Sequence, residues 1–324
     1  MKGNQKILVL TPIKQIPELR EMLENLGEVL VMEDASYPEA REALKSANIV
    51  FTNPNRAQFI LSADVLRECR ELKTICTAST GTNHIDLAYA DRCGIRVLSL
   101  RYELETIEKI SSTAELALAL MLASIRRIVP ATLSVADGRW DYLPFVGRQV
   151  SDLKVGTVGY GRLGRKFLRY AQAMGADCYF YDPFVDTEED APLKLPTIDL
   201  LFKKCDVVSV HIHADDENLN LISERCFGQV EGEFHLVNTS RGGVVDEKAV
   251  YERLRDDPEF FYSTDVLNAE ISGNWPSPLN EIAAQQSNIL ITPHIGGMTR
   301  EAQGIAYRRA AQLLKEHLLP GAGV

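Results

Sequence analysis

From residue 6 to residue 100 the chain alternates short unbroken apolar runs with longer stretches in which apolar residues recur every three or four positions. The runs are "KILVL" (6–10), "NIVFTN" (48–53), "LKTICTAS" (72–79) and "IRVLSL" (95–100). Runs this short, with no polar alternation, are the pattern of strands buried on both faces. Between them "PELREMLENLG", "YPEAREALKSA", "SADVLRECREL" and "DLAYADRCG" carry helical spacing. Strand and helix in alternation predict a parallel sheet covered on both sides.

The stretch "STAELALALMLASIRRI" (112–128) is apolar almost all round, which predicts a long helix buried between domains or between subunits. A second α/β series follows. Its strands are "KVGTVGY" (154–160), "DCYFYD" (177–182), "DVVSVHI" (206–212), "HLVNTS" (235–240), "FYSTDV" (261–266) and "NILITPH" (288–294). A last amphipathic helix, "REAQGIAYRRAAQLLKEHL" (300–318), ends the pattern. The acidic run "DTEED" (186–190) reads as a solvated loop.

Length and charge narrow the reading. A chain of 324 residues accommodates about two domains. With 35 basic against 45 acidic side chains the net charge is −10, which argues against nucleic acid and anionic membranes as partners. The apolar part of "MKGNQKILVLTP" is too short for a signal-peptide core, and no run approaches ~18 apolar residues, so neither export nor a membrane partner is expected. The cysteines, Cys69, Cys76, Cys93, Cys178, Cys205 and Cys226, form no C-x-x-C pair and sit beside no histidine at zinc spacing. They read as reduced, buried thiols of a cytoplasmic protein with no metal site.

"VGTVGYGRLG" (155–164) places Gly159, Gly161 and Gly164 at the spacing G-x-G-x-x-G. That spacing alone is weak. Its context is stronger: an apolar strand precedes it, a helix opens on the third glycine and ends at Gly175, and the next strand ends in Asp182, 182 − 164 = 18 residues on. Each part has a mechanical role in holding a dinucleotide. Gly159 allows the tight turn, Gly161 lets backbone approach the pyrophosphate, and Gly164 lets helix and sheet pack closely. The helix N-terminus, with Arg162 and Leu163 in its first turn, offers N–H groups and partial positive charge to phosphates. A carboxylate at Asp182 accepts from both ribose hydroxyls of NAD and repels the extra phosphate of NADP; Arg162 and Arg165 would blunt that repulsion.

Three later stretches end predicted strands: "NTSRGGVVDE" (238–247), "STDVLNAE" (263–270) and "ITPHIGG" (291–297). In open parallel sheets ligands bind at that edge. Arg241 has a fork that clamps a carboxylate or polarises a keto oxygen; as an isolated arginine it reads equally as a surface ion pair. His294 can exchange a proton near neutral pH, or be a buried histidine satisfied by a carbonyl. Glu270 could pair with His294 and orient it, or face solvent. Asp265 holds a nicotinamide carboxamide or caps the next segment.

Taken in order, "GYGRLGR", "NTSRGGVVDE", "DV…AE" and "TPHIGG" resemble the D-2-hydroxyacid dehydrogenase family, over nearly the whole chain. The resemblance implies a catalytic trio of Arg241, Glu270 and His294. It implies NAD contacts at Gly159, Gly161, Arg162, Leu163, Gly164, Asp182, His211, Thr239, Ser240, Asp265, Gly296 and Gly297. It implies that "GTNHIDL" (81–87) follows a substrate-anchoring loop, with the substrate carboxylate at Thr80 and Gly81, and that Asn53 and Arg56 face the substrate's far end.

The implied fold is α/β, with a Rossmann NAD-binding domain (111–297) inserted into a flavodoxin-like substrate domain (1–110, completed by 298–324). The implied reaction is hydride transfer between NAD(H) and a 2-hydroxy/2-oxo acid pair of D configuration, and the implied assembly is a homodimer through the NAD-binding domain, using 112–128 and the arm "GRWDYLPF". The connection "RYELETIEKIS" (101–111) looks about five residues longer than the family's usual loop, which leaves the substrate open. The chain is too short for the regulatory C-terminal domain of some phosphoglycerate dehydrogenases, the family members it most resembles. An NAD(H)-sensing binding protein, like the C-terminal-binding-protein corepressors that share the trio, is the alternative from another class. A phosphoglycerate dehydrogenase is the alternative within the enzymes, and a formate or phosphite enzyme has less support.

Overall fold

The structure is a computed structural model that describes residues 5–54, 60–186, 192–215, 217–268, 270 and 277–319. Arg56 and most of the acidic run at 186–190 lie outside the described residues. The chain divides into two compact units, Met1–Ile110 with Met298–Val324, and Ser111–Gly297.

The first unit holds five parallel strands: β1 (Lys6–Val9), β2 (Glu28–Val31), β3 (Ile49–Thr52), β4 (Thr74–Thr77) and β5 (Arg96–Leu98), in the order β2-β1-β3-β4-β5. This is the flavodoxin-like order, 2-1-3-4-5. The apolar runs predict four of the strands. β2, "EVLV", is missed because it is an edge strand, alternately exposed and half-buried, and needs no continuous apolar run. Separate apolar clusters cover the two faces of the sheet, one under Leu19, Leu23 and Tyr307, the other under Leu44, Leu66 and Ala90.

The helix Arg300–Leu318 belongs to this unit although it ends the chain. Its buried face is made of Ala302, Gly304, Ala306, Ala310 and Ala311, small enough for close approach to the sheet. Tyr307 OH pairs with Thr11 Oγ1 at 2.7 Å, and Cys76 Sγ donates to the Ala310 carbonyl at 3.3 Å. The long connection after β5 is not all loop. Leu104–Glu108 is a helical turn and a half, and Glu103 before it accepts from Arg309 Nε at 2.6 Å.

The second unit holds seven parallel strands: β6 (Lys154–Val158), β7 (Asp177–Tyr181), β8 (Leu193–Lys194), β9 (Val207–Val210), β10 (Phe234–Asn238), β11 (Phe260–Thr264) and β12 (Ile289–Ile291). Their order is β12-β11-β10-β9-β6-β7-β8. The chain winds one way from β6 through β8, then returns to β9 on the other side. That reversal opens a crevice at the C-terminal ends of β6 and β9, where doubly wound sheets bind ligands.

The apolar stretch at 112–128 differs from its prediction in two ways. Its helix stops at Ile125, and its apolar residues Ala114, Ala117, Leu120, Met121 and Ile125 are buried within this same unit, beside Phe167 and Val237. Arg127 then takes a left-handed conformation (φ +53°), with its guanidinium 3.8 Å over the Phe261 ring and paired with Glu233 at 3.1 Å. A second helix, Ile128–Ala136, leaves in a new direction with Leu133 and Val135 exposed. Ser124 Oγ lies 2.7 Å from His235 Nδ1 and pins the first helix to β10; burial lowers the His235 pKa and keeps the ring neutral. Among the described residues no single helix is long and apolar enough to cross a membrane.

Candidate active site

The chain leaves β6 through Gly159 with φ +92°, a conformation that side chains rarely adopt. A Cβ at Gly164 would stand 2.2 Å from the Gly159 carbonyl oxygen, so helix and turn meet with no room to spare. Gly161 is different. Among the described residues nothing lies within 4 Å of the place its Cβ would take, and it precedes the helix Arg162–Ala173 with no side-chain cap. The positive end of that helix, begun by Arg162 and Leu163, is therefore reached from open space over Gly161. Asp182, one residue past β7, accepts from the backbone N–H of Tyr160 and of Phe184, both at 2.9 Å. It closes the glycine turn from the neighbouring strand, and each oxygen keeps a lone pair for a ligand hydroxyl.

Further along the rim, Thr239 Oγ1 is buried with no hydrogen-bond partner among the described residues. A buried orphan hydroxyl costs about 1–3 kcal/mol, which a polar ligand would relieve. Ser240 donates from N and Oγ to Asn238 Oδ1 at 3.0 and 2.8 Å. His211 Nε2 lies 2.9 Å from Ser209 Oγ, and burial pushes its pKa down to about 3. Its ring is neutral at physiological pH.

Arg241 follows β10 in extended conformation, with its carbonyl held by Asn238 Nδ2 at 3.0 Å and its own NH1 on the Ser240 carbonyl at 2.6 Å. Burial lowers the pKa of its guanidinium, and the charge of Glu270 acts against that fall. Glu270 Oε2 lies 2.9 Å from His294 Nδ1, and both side chains are about one-fifth exposed, at 17% and 21%. The pair is thus formed yet open to a ligand.

Asp265, one residue past β11, explains how His294 is held. Its Oδ1 accepts from Thr292 Oγ1 (2.5 Å) and Ile295 N (2.9 Å), and its Oδ2 from Gly296 N (2.8 Å). Its carbonyl accepts from His294 N at 3.0 Å. His294 sits inside this knot with φ +56°, a strained value for a residue with a side chain. Burial raises the Asp265 pKa in spite of the three bonds, so desolvation is the larger effect. A Cβ on Gly296 would press 3.1 Å from Asp265 Oδ2, whereas the space at Gly297 is open.

In the first unit, Asn53 is buried and donates from Nδ2 to the Ala78 carbonyl at 3.3 Å. The loop after β4 places Thr80 and Gly81 half-exposed, and Ser79 Oγ holds the Gly81 carbonyl at 2.7 Å. His84 Nε2 lies 3.2 Å from Thr77 Oγ1, which lies 2.9 Å from Ser79 Oγ, so a relay of side chains supports that loop.

Sequence reasoning names the residues on the rim but not those that hold them. Thr292, Asn268 and Glu247 were not singled out, and Asn238 was named only as part of "NTS". All four lie inside the quoted stretches "NTSRGGVVDE", "STDVLNAE" and "ITPHIGG", but residue type alone does not tell which of them brace their neighbours. Among the described residues no group of three or more His, Cys, Asp or Glu side chains could hold a metal ion.

Residues 118–296 match the family model described as D-isomer specific 2-hydroxyacid dehydrogenase, NAD binding domain. The chain is 35% identical over 301 residues to a D-3-phosphoglycerate dehydrogenase of Archaeoglobus fulgidus, covering 92% of this chain and 54% of that protein. It thus spans about half the length of that relative. It is 30% identical over 310 residues to a hydroxypyruvate reductase of Thermotoga maritima, covering 95% of each. In fold it is similar to the NAD-dependent formate dehydrogenase of Staphylococcus aureus solved with NAD, at TM-score 0.84, 21% identity and 98% of this chain against 97% of that one. The open space over Gly161 and the orphan hydroxyl of Thr239 are features that a bound NAD would fill and satisfy.

Proposed function

The chain belongs to the D-isomer specific 2-hydroxyacid dehydrogenase family, and from that premise we propose that it is an NAD-dependent oxidoreductase interconverting a 2-hydroxy acid of D configuration and its 2-oxo acid. The observation that carries the proposal is the Glu270–His294 pair at 2.9 Å, on the same strand-end rim as Arg241. The glycine turn, Asp182 and Thr239 would hold NAD, which when bound would supply or accept the hydride. His211, Arg162, Leu163, Ser240, Gly296 and Gly297 complete its contacts.

In the reducing direction His294 carries the proton on Nε2 to the developing alkoxide, as general acid. Glu270, with Oε2 2.9 Å from Nδ1, holds the Nδ1 proton and fixes the orientation of the ring. Arg241 draws negative charge on the substrate oxygen and carboxylate into its fork, and its partial burial strengthens that attraction. Thr80 and Gly81 anchor the carboxylate, with Asn53 beside them. Arg56 would meet an acidic or polar distal group. The names of the two relatives, a phosphoglycerate dehydrogenase and a hydroxypyruvate reductase, favour such polar substrates over pyruvate.

The proposal includes a homodimer through the NAD-binding unit. Ile128, Leu133, Trp140, Tyr142 and Leu143 are exposed large apolar side chains on the second helix and the arm after it. Such a patch is characteristic of a protein interface. All six cysteines are free thiols, which supports the cytoplasmic reading; four are buried as expected, but Cys178 is half-buried and Cys93, at the end of a surface helix, is exposed.

The test is NADH oxidation with a panel of pyruvate, hydroxypyruvate, phosphohydroxypyruvate, 2-oxoglutarate and 2-oxoisocaproate. Turnover with a polar 2-oxo acid, lost roughly 100-fold in His294→Ala at unchanged NADH affinity, is the expected result. NADH binding without turnover of any 2-oxo acid would instead support the binding-protein alternative.

A further inference from the structure

Glu247 is the first residue of the helix Glu247–Asp256, whose N-cap Asp246 accepts from Lys248 N and Ala249 N. The cap is therefore complete without Glu247, and its side chain turns to another task. Glu247 Oε1 accepts the backbone N–H of Asn268 at 2.6 Å, across 21 residues of sequence. Asn268 lies two residues before Glu270.

From the other side the same strand end is walled by Gly242. A Cβ there would stand 2.3 Å from Asn268 N and 2.3 Å from the Leu267 carbonyl carbon. The residues just after Arg241 thus set where the segment bearing Glu270 begins, and Glu247 ties it down. Burial raises the Glu247 pKa; the Asn268 bond opposes this, and the charge of Glu270 adds to it. The two carboxylates therefore feel each other. Among the described residues, Arg241 and Glu247 interact electrostatically with Glu270, and Asp265 with His294.

We propose that Glu247 is a positioning residue of the active site: with the close approach of Gly242, its bond to the Asn268 amide holds the chain two residues before Glu270, and so sets the contact between Glu270 and His294. The inference rests on the reading of that pair as the proton-handling groups. Glu247 acts on the pair through the backbone of Asn268, without touching substrate or cofactor. Glu247 forms no covalent bond and gives up no proton in this role.

The experiment compares wild type, Glu247→Gln and Glu247→Ala by the pH titration of the His294 ring resonances, by the pH–rate profile for 2-oxo acid reduction, and by NADH affinity. Glu247→Gln keeps an acceptor for Asn268 but loses the charge, which weakens the bond. As the contact loosens, the ring titration and the alkaline limb of the rate profile should both move to lower pH, by roughly half a unit. Glu247→Ala also loses the acceptor and should lower kcat by about 10-fold, with NADH affinity within about twofold. A helix-capping role alone would leave the ring titration where it was. Superimposable ring titrations in wild type and Glu247→Gln overturn the proposal, and Glu247→Gln decides even if Glu247→Ala does not fold. A wild type that reduces no 2-oxo acid would sink the proposed function, while the ring titration would still report on the contact.

Discussion

Replacing Asp265 with alanine should disable the reaction while leaving most of the fold intact. The carboxylate accepts from Thr292 Oγ1, Ile295 N and Gly296 N, and no other acceptor replaces it in this turn. Hydrogen bonds to a charged acceptor are worth about 1.5–3 kcal/mol each. Ile295 is 41% exposed, so water takes up much of what is lost. Asp265 is itself buried at a cost, as its raised pKa records, so removing it returns part of the energy.

About 1 kcal/mol per bond is then a fair net value, about 3 kcal/mol for the three. His294, with φ +56°, also stores about 1 kcal/mol of backbone strain that only these bonds maintain. A turn that loses about 3 kcal/mol of ordering loses roughly 100-fold in the population with His294 correctly placed. The expected result is a fall in kcat of that size, faster amide exchange at Ile295 and Gly296, and a melting temperature lowered by only a few degrees. Asp265→Asn, which keeps one acceptor oxygen, should fall between. If Asp265→Ala keeps kcat within threefold and leaves the two amides as protected as before, the reasoning about this turn is wrong. NADH affinity, measured separately, isolates any direct contact of Asp265 with the cofactor.

Gly164→Ala would place a methyl group 2.2 Å from the Gly159 carbonyl oxygen, so NADH affinity should drop at least 10-fold and stability by about 1–3 kcal/mol; unchanged affinity in a fluorescence titration would contradict the close packing. Asp182→Ser should narrow the preference for NAD over NADP, read as the ratio of the two kcat/KM values, and it should also loosen the turn that Asp182 holds through Tyr160 N; a wild type that prefers NADP would refute the assignment. Stability should fall as pH drops from about 6.5 toward 3. Burial holds His211 at about 3, below the usual histidine range, and His235 is lowered too, so in this window the unfolded chain binds more protons than the native one. Glu233, lowered by its bond to His235, adds the same sign at the acid end, whereas Glu247 and Asp265, raised by burial, act against it. A urea midpoint at pH 4.5 that equals or exceeds the midpoint at pH 7 would contradict the balance, and His211→Gln should flatten the slope.

Much of this architecture is written locally. A strand buried on both faces is mostly apolar and does not alternate with charged positions, so β1, β3, β4 and the main strands of the second unit stand out as short runs. Glycine spacing is legible for a similar reason. A positive φ at Gly159 and a gap too small for a Cβ at Gly164 are demands on single residues, and glycine alone meets them. Acid, arginine and histidine at strand ends could be named from their positions because a parallel sheet gathers its strand ends at one rim.

Which of those side chains touch was a matter for the tertiary structure. The 2.9 Å contact between Glu270 and His294 spans 24 residues and depends on β11 and β12 lying side by side. The knot around Asp265 is made of one threonine hydroxyl and backbone N–H groups, the latter without any sequence signature, and it forces His294 into a conformation its own preferences disfavour. The break at Arg127 follows from Glu233 and Phe261, more than a hundred residues away, and an apolar pattern that runs on through 128 gives no warning of it. Edge strand β2 escaped because half its surface stays wet. Period and glycine spacing record what each residue needs from its immediate neighbours. Contacts between distant segments are chosen by the packing of whole elements, and only the folded chain contains that information.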